Sequence, residues 1–105
     1  MKTIVLVCSA GMSTSLMVNK MEKVAEAKGI DVNIFAVSAS ELEGTLEKNE
    51  IDLVLLGPQI KFMLKQFEAK VQGKNIPIGV IGLQDYGMMN GTNVLKQAFE
   101  LMENK

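Results

Sequence analysis

Histidine and arginine are both absent from this chain, and all 11 of its basic residues are lysines. Without histidine, the chain by itself can form no Cys-His hydrolase, no histidine-ligated metal site and no phosphohistidine. Without arginine, it lacks the side chain that contacts phosphate and guanine in bidentate fashion. The formal net charge is only -1, and one Tyr and four Phe are present for base stacking. Nucleic acid is therefore not an expected partner.

A single cysteine also means that no disulfide can form within the chain. Polar residues begin at Ser9, too early for the apolar region of a signal peptide, and no later apolar run is long enough to span a membrane. We therefore expect a cytoplasmic protein with a free thiol and no direct membrane insertion. Its 105 residues suit one domain, residues 1–105, whose core needs no metal or disulfide to fold.

The cysteine, Cys8, stands between the apolar run 4–7 and the small polar segment 9–15. The run predicts a buried strand and residues 16–28 predict the following helix, so the backbone N–H groups of the segment should converge near the thiol. Such a position favours an anion and would hold a phosphoryl group on the sulfur. A lone cysteine after a strand is often an unreactive buried residue. The neighbouring hydroxyls and glycine favour covalent phosphoryl chemistry at Cys8 instead.

Strand and helix patterns alternate along the rest of the chain. Further strands are predicted at 32–37, 51–56 and 77–81, further helices after a capping box at 40–43, over 60–71 and over 94–102, and a loop over 82–91. This order predicts an α/β fold, a three-layer sandwich with a four-stranded parallel sheet and helices on both faces. We expect the strand order 2-1-3-4.

In such a sheet, ligands bind beyond the carboxyl ends of the strands. The same edge that carries Cys8 should carry Gln59 after the third strand and Asp85 and Tyr86 after the fourth. We interpret these three residues as the rim of the site. The alternative is that they only form an ordinary turn and pack a loop.

Two stretches, Cys8-Ser9-Ala10-Gly11-Met12-Ser13-Thr14-Ser15 and Val54-Leu55-Leu56-Gly57-Pro58-Gln59, resemble the lactose/cellobiose-type IIB component of the bacterial sugar phosphotransferase system. The resemblance covers essentially the whole chain. It implies that Cys8 accepts a phosphoryl group from a phosphohistidine on the IIA partner. It further implies that Cys8 passes the group to a sugar bound in the membrane permease IIC, and that residues 9–15 bind the phosphoryl oxygens. The implied sugars are of the cellobiose, chitobiose and lactose class, and no cofactor or metal is implied.

The competing enzyme is a low-molecular-weight tyrosine phosphatase, whose fold is similar and whose cysteine loop reads Cys-x5-Arg. Thr14 occupies the place of that arginine. Without a fixed guanidinium, the transition state of phosphocysteine hydrolysis is poorly stabilised, which favours a carrier. Asp85 falls where such phosphatases have their general acid, so weak hydrolysis stays open. A phospho-regulated interaction module is a third hypothesis, weakened because these residues include no DNA-binding segment, and a redox sensor ranks last for want of a resolving cysteine.

A carrier that serves two partners needs an exposed thiol and an adaptable surface. Methionine suits such surfaces, and Met12, Met88 and Met89 lie in segments near the predicted site. We expect a monomer, because a carrier that docks in turn with two partners gains from a free surface. The sequence does not identify the sugar.

Overall fold

The first strand is a continuous apolar run because both of its faces are covered. In the computed structural model, which describes residues 1–9 and 12–103 and only the backbone of 12 and 13, this strand, β1, spans Lys2–Cys8. The side chains of residues 4–7 are fully buried. Strands buried on both faces read as unbroken apolar runs, whereas half-exposed strands alternate.

The other elements of the described residues follow the alternation that the sequence predicts. The strands are β2 (Val32–Ser38), β3 (Leu53–Leu56) and β4 (Ile78–Val80), and the helices are α1 (Met12–Ala27), α2 (Leu42–Lys48), α3 (Leu64–Gln72), α4 (Leu83–Gly87) and α5 (Gly91–Glu103). Short 3-10 turns, Ala39–Glu41 and Pro58–Met63, precede α2 and α3.

The four strands form one parallel sheet in the order β2-β1-β3-β4, which confirms the predicted fold and strand order. β1 pairs with β2 from Lys2 opposite Val32 to Cys8 opposite Ser38. On its other side β1 pairs with β3, with Val7 opposite Leu56. The order of the strands reverses between β1 and β3, so the carboxyl ends of these two strands flank the place where ligands bind in open α/β sheets.

Helices cover both faces of the sheet, and alternate side chains of β1 contribute to each layer. One apolar core, between the sheet and helices α1 and α5, includes Ile4, Leu6, Met17, Met21, Val94 and Leu95. The other, between the sheet and helices α2 and α3, includes Val5, Val7, Leu42, Leu46, Phe67 and Val71. β1 is thereby fixed from both sides, and its last residue, Cys8, inherits that rigidity.

The predicted helix boundaries needed correction at two places near the site. Helix α1 begins at Met12 and not at residue 16, so the polar segment after Cys8 runs directly into the helix. The predicted loop 82–91 contains helix α4, in which the N–H of Tyr86 donates to the carbonyl of Gly82 at 2.9 Å. Gly82 and Gly87 flank this segment, and glycines are typical of loops. The segment is nevertheless helical, and its Tyr86 is buried against the core.

The predicted capping box at 40–43 was also wrong, because the box lies two residues earlier. β2 extends to Ser38, whose backbone N–H and hydroxyl both donate to the Glu41 carboxylate, at 3.0 and 2.8 Å. The chain therefore turns into its helical segment as soon as the strand ends. Ser38 pairs with Cys8, so this cap lies next to the end of β1.

None of the helices in residues 1–9 and 12–103 combines the length and the apolar character that crossing a bilayer requires.

Helices α1 and α5 approach each other closely at Gly91, the first residue of α5. A Cβ on Gly91 would lie 2.8 Å from both the carbonyl carbon and the carbonyl oxygen of Lys20. Asn90 caps the helix here, since its side-chain oxygen accepts from the N–H of Asn93 at 3.0 Å. The absence of a side chain at Gly91 thus lets the start of α5 rest on the backbone of α1.

Gly91→Ala should lower the free energy of unfolding by about 1–3 kcal/mol, because the backbone of α1 must move to admit the methyl group. The matched control is Gly44→Ala in α2, where a Cβ would meet nothing within 4 Å. That change should raise stability by about 0.5–1 kcal/mol through the better helix propensity of alanine. Urea unfolding followed by circular dichroism measures both, and equal stability of Gly91→Ala and wild type would contradict the close packing.

Candidate functional site

Cys8 is the last residue of the inner strand β1, at the carboxyl edge of the sheet, where the carboxyl ends of the parallel strands lie. Its residue is 3% exposed, and its Sγ faces the carbonyl oxygen of Val37 on the neighbouring strand at 4.0 Å. The expectation of an exposed thiol was therefore wrong for this structure. β1 pairs with β2 as far as Cys8 opposite Ser38, which brings the backbone of β2 against the sulfur.

The N-terminus of α1 follows Cys8 closely in the chain. This helix of 16 residues has N–H groups in its first turn without partners inside the helix, and the first turn contains no acidic side chain. The partial positive charge at this end attracts anions. A helix start directly after the cysteine is thus the arrangement that the sequence predicts for holding a phosphoryl group.

The predicted phosphate-binding segment, residues 9–15, is described in part. Ser9 and Ser15 are exposed, whereas Thr14 is fully buried. Ala10 and Gly11 lie outside the described residues, as do the side chains of Met12 and Ser13. The described members therefore include two exposed hydroxyls beside the start of α1 and one that is turned into the fold.

Thr14 shares a hydrogen bond of 3.0 Å with the hydroxyl of Tyr86, whose residue is 5% exposed. Apart from Tyr86, Thr14 is the one polar side chain that is buried among the residues described. Tyr86, predicted at the rim, is thus placed inside the fold and in contact with the first turn of α1. The sequence contains no signal for this pair, because its members lie 72 positions apart.

The end of β3 borders the same place. The N–H of Gly57 donates to the carbonyl oxygen of Val7 at 2.9 Å, which joins this turn to β1 next to Cys8. A Cβ on Gly57 would lie 2.9 Å from Oε1 of Gln59 and 3.9 Å from Cε1 of Tyr86. Glycine here leaves room for both side chains. Gln59, predicted at the rim, is exposed at this edge.

Asp85, the third residue predicted at the rim, is half-buried and engaged with α5. Its Oδ1 accepts from Nδ2 of Asn93 at 3.1 Å, and its backbone carbonyl accepts from the N–H of Asn90 at 2.9 Å. The carboxylate thus helps to join α4 to α5. Sequence reasoning missed Asn93, whose only signal is its position in the first turn of the last helix.

Two electrostatic features complete the site. The backbone N–H of Ser38, followed by its hydroxyl, holds the pKa of Glu41 below the ordinary value of 4.5. Within the part of the chain that the structure describes, no group of three or more Cys, Asp or Glu side chains is arranged to hold a metal ion. The described site thus consists of a thiol, a helix N-terminus, hydroxyls and amide groups.

Comparison with known proteins assigns this arrangement to a family. The family described as "PTS system, Lactose/Cellobiose specific IIB subunit" matches residues 3–97. The chain belongs to this IIB family. It is thus a component of a sugar phosphotransferase system, as the sequence resemblance predicts.

Individual relatives agree over nearly the full length. The chain is 45% identical to the galactose-specific EIIB component of Lactococcus lactis subsp. cremoris over 104 residues, 96% of each chain. It is also 45% identical, with the same coverage, to the cellobiose-specific EIIB component of Lactococcus lactis subsp. lactis. The solution structure of the cellobiose-specific IIB component from Borrelia burgdorferi superposes with a TM-score of 0.80 at 42% identity, covering 99% of this chain and 94% of that one.

The pKa of Glu41 in this IIB chain, followed by carboxyl-carbon NMR, should lie below 4.5 and rise part of the way back in Ser38→Ala, which loses the hydroxyl donor but keeps the backbone N–H. The lowered pKa means that the cap stabilises the fold above the pKa of the unfolded chain and stops doing so as pH falls through the folded value. Ser40→Ala is the comparison and should shift this pKa less, because the Ser40 hydroxyl lies 3.1 Å from that of Ser38, which is the one bonded to the Glu41 carboxylate. A larger shift in Ser40→Ala than in Ser38→Ala would contradict the cap at Ser38.

Proposed function

We propose that this IIB chain is a phosphoryl carrier whose Cys8 takes a phosphoryl group from a phosphohistidine of the IIA protein and passes it to a sugar held by the permease IIC. The observation that carries the proposal is the position of Cys8 at the end of β1, directly before the N-terminus of α1. Membership of the IIB family supports a phosphoryl acceptor in this chain. With no histidine present, its cysteine is the natural nucleophile.

In the first step, the Cys8 thiolate attacks phosphorus in line with the nitrogen of the phosphohistidine. An S–P bond forms, the N–P bond breaks, and its electron pair stays on the imidazole. In the second step, a sugar hydroxyl attacks phosphorus: an O–P bond forms, the S–P bond breaks with its electron pair left on the Cys8 sulfur, and the hydroxyl proton goes to solvent. Phosphoryl transfer of this kind depends mainly on positioning and on stabilising the charge of the transferred group.

The start of α1 supplies that stabilisation in the proposal. The N–H groups at this helix end and the helix dipole favour the phosphoryl oxygens, and the first turn has no carboxylate to repel them. Ser9 and Ser15 are exposed beside it and add hydroxyl groups. Thr14 contributes its backbone N–H, since its hydroxyl is already bonded to Tyr86.

A carrier is favoured over a phosphatase by two contacts. Thr14 occupies the position at which the phosphatases have their arginine, and its side chain is buried and bonded to Tyr86. The carboxylate that would act as the general acid, Asp85, is bonded to Asn93. A phosphocysteine here lacks both the guanidinium that stabilises the transition state of hydrolysis and a free acid, so it should persist until a partner accepts the group.

Docking of the partners is proposed at the carboxyl edge of the sheet. Four large apolar side chains in segments that leave β1, β3 and β4 at this edge are exposed: Leu16, Phe62, Leu83 and Met88. Met88 was predicted as a docking residue and is 72% exposed, whereas Met89 packs partly against the core. Because Cys8 is covered, a docked partner must also make the sulfur accessible before transfer.

The sugar is proposed at the level of a class. The two Lactococcus relatives share the same identity with this chain but are named for galactose and for cellobiose. We propose a sugar of the cellobiose, chitobiose, lactose or galactose class, recognised mainly by the permease. The cytoplasmic location, the single domain and the monomeric state stay predictions.

Incubation with phosphoenolpyruvate, the general phosphotransferase proteins and a lactose/cellobiose-type IIA should add one phosphoryl group to the wild-type chain, seen by intact mass. Cys8→Ser should gain none, because serine lacks the thiolate nucleophile. Adding permease vesicles and cellobiose should then discharge the wild type. Phosphorylation of Cys8→Ser would move the acceptor elsewhere, and turnover of an aryl phosphate without a stable adduct would establish the phosphatase instead.

Leu83→Ser and Phe62→Ser should each weaken binding to IIA by about tenfold, since each removes a large apolar group from the docking surface. Isothermal titration calorimetry with unphosphorylated IIA measures the affinity. Ala27→Ser is the control, because Ala27 is exposed at the end of α1 that lies at the opposite edge of the sheet. An unchanged affinity in both test variants would place the docking surface elsewhere.

A further inference from the structure

We infer that Tyr86 is a positioning residue for phosphoryl transfer, because it holds the first turn of α1 in place relative to Cys8 through its hydrogen bond with Thr14. The inference rests on the proposed carrier function. Tyr86 does not act on the phosphoryl group itself in this account. It fixes the backbone N–H groups that do.

The bond between Tyr86 and Thr14 is short and shielded. The two hydroxyl oxygens are 3.0 Å apart, and the residues are 5% and 0% exposed. A hydroxyl that is buried without its partner is costly, so this pair strongly favours one position of the first turn of α1. Thr14 lies in that turn, and its N–H belongs to the group that a phosphoryl anion would meet.

The ring of Tyr86 lies beside the turn after β3, and this turn is hydrogen-bonded to the strand that ends at Cys8. The ring lies 3.9 Å from the place where a Cβ of Gly57 would be, and Gly57 donates its N–H to the carbonyl oxygen of Val7 at 2.9 Å. The backbone of Tyr86 is held within α4, donating to Gly82 at 2.9 Å and accepting from Met89 at 3.1 Å. One side chain therefore connects the start of α1 with the ends of β3 and β1.

This connection matters for the rate of transfer more than for partner binding. Donors stabilise a transition state only when they are already aimed at the developing charge, and small displacements of such groups reduce rates strongly. The hydroxyl of Tyr86 is buried, whereas the apolar side chains of the docking surface are exposed. Its loss should therefore slow the chemical step and leave the affinity for IIA unchanged.

The test is single-turnover phosphoryl transfer from phospho-IIA to Tyr86→Phe, which keeps the ring and removes the hydroxyl. We expect the rate constant to fall by about tenfold while the dissociation constant for unphosphorylated IIA stays that of the wild type. The phosphorus NMR shift of the phosphocysteine should also change, because the surrounding N–H groups move. Thr14→Val should have the same effect, and Tyr86→Phe with Thr14→Val should be no slower than either single variant.

Thr45→Val is the matched control, since it removes a threonine hydroxyl in α2 that donates to the carbonyl of Glu41, and it should transfer at close to the wild-type rate. Equal rates in wild type and Tyr86→Phe, additive effects in the double variant, or weaker IIA binding at an unchanged rate would each overturn the role of Tyr86. A wild-type chain that accepts no phosphoryl group would instead overturn the proposed function itself. The two failures are therefore distinguishable in one set of experiments.

Discussion

Strand β1 is paired along both edges and covered on both faces, and the other parts of the site take their positions from it. Its apolar residues 4–7 supply side chains to both cores, so the strand cannot shift without disturbing two packed layers. Cys8 follows directly and is held at a fixed point where the strand order reverses. The same burial that fixes the sulfur also covers it, so the proposed transfer to a partner requires that the sulfur become accessible.

The buried Thr14 distinguishes this site from that of the low-molecular-weight tyrosine phosphatases, whose cysteine loop has an arginine at the corresponding position. An arginine at this position would place a permanent charge beside the phosphoryl group and favour its hydrolysis. Here the side chain is buried and bonded to Tyr86, so no guanidinium occupies this position. In the proposed carrier, backbone N–H groups would hold the phosphoryl group without adding the charge that favours hydrolysis.

The sequence predicted the sheet well because its signals are local: apolar runs covered on both faces, glycine after α1, and Gly57 and Pro58 after β3. It failed where distant contacts decide. The segment of helix α4 looked like a loop although Tyr86 in it is buried, and the cap lies at Ser38 instead of Ser40 because Glu41 accepts from Ser38, the last residue of β2. The predicted exposure of Cys8 was likewise wrong, since the contact of its sulfur with Val37 on β2 depends on strand pairing that no local pattern encodes.

The bond between Thr14 and Tyr86 joins positions 72 residues apart, and this separation sets an order of events during synthesis. The segment around Cys8 leaves the ribosome among the first, while the tyrosine that fixes it emerges only after β4. Until then the bond that joins the start of α1 to α4 cannot form. A growing chain interrupted before α4 would thus carry the thiol without the residue proposed to position the helix beside it, and a thiol without the cover of the folded site is open to oxidation.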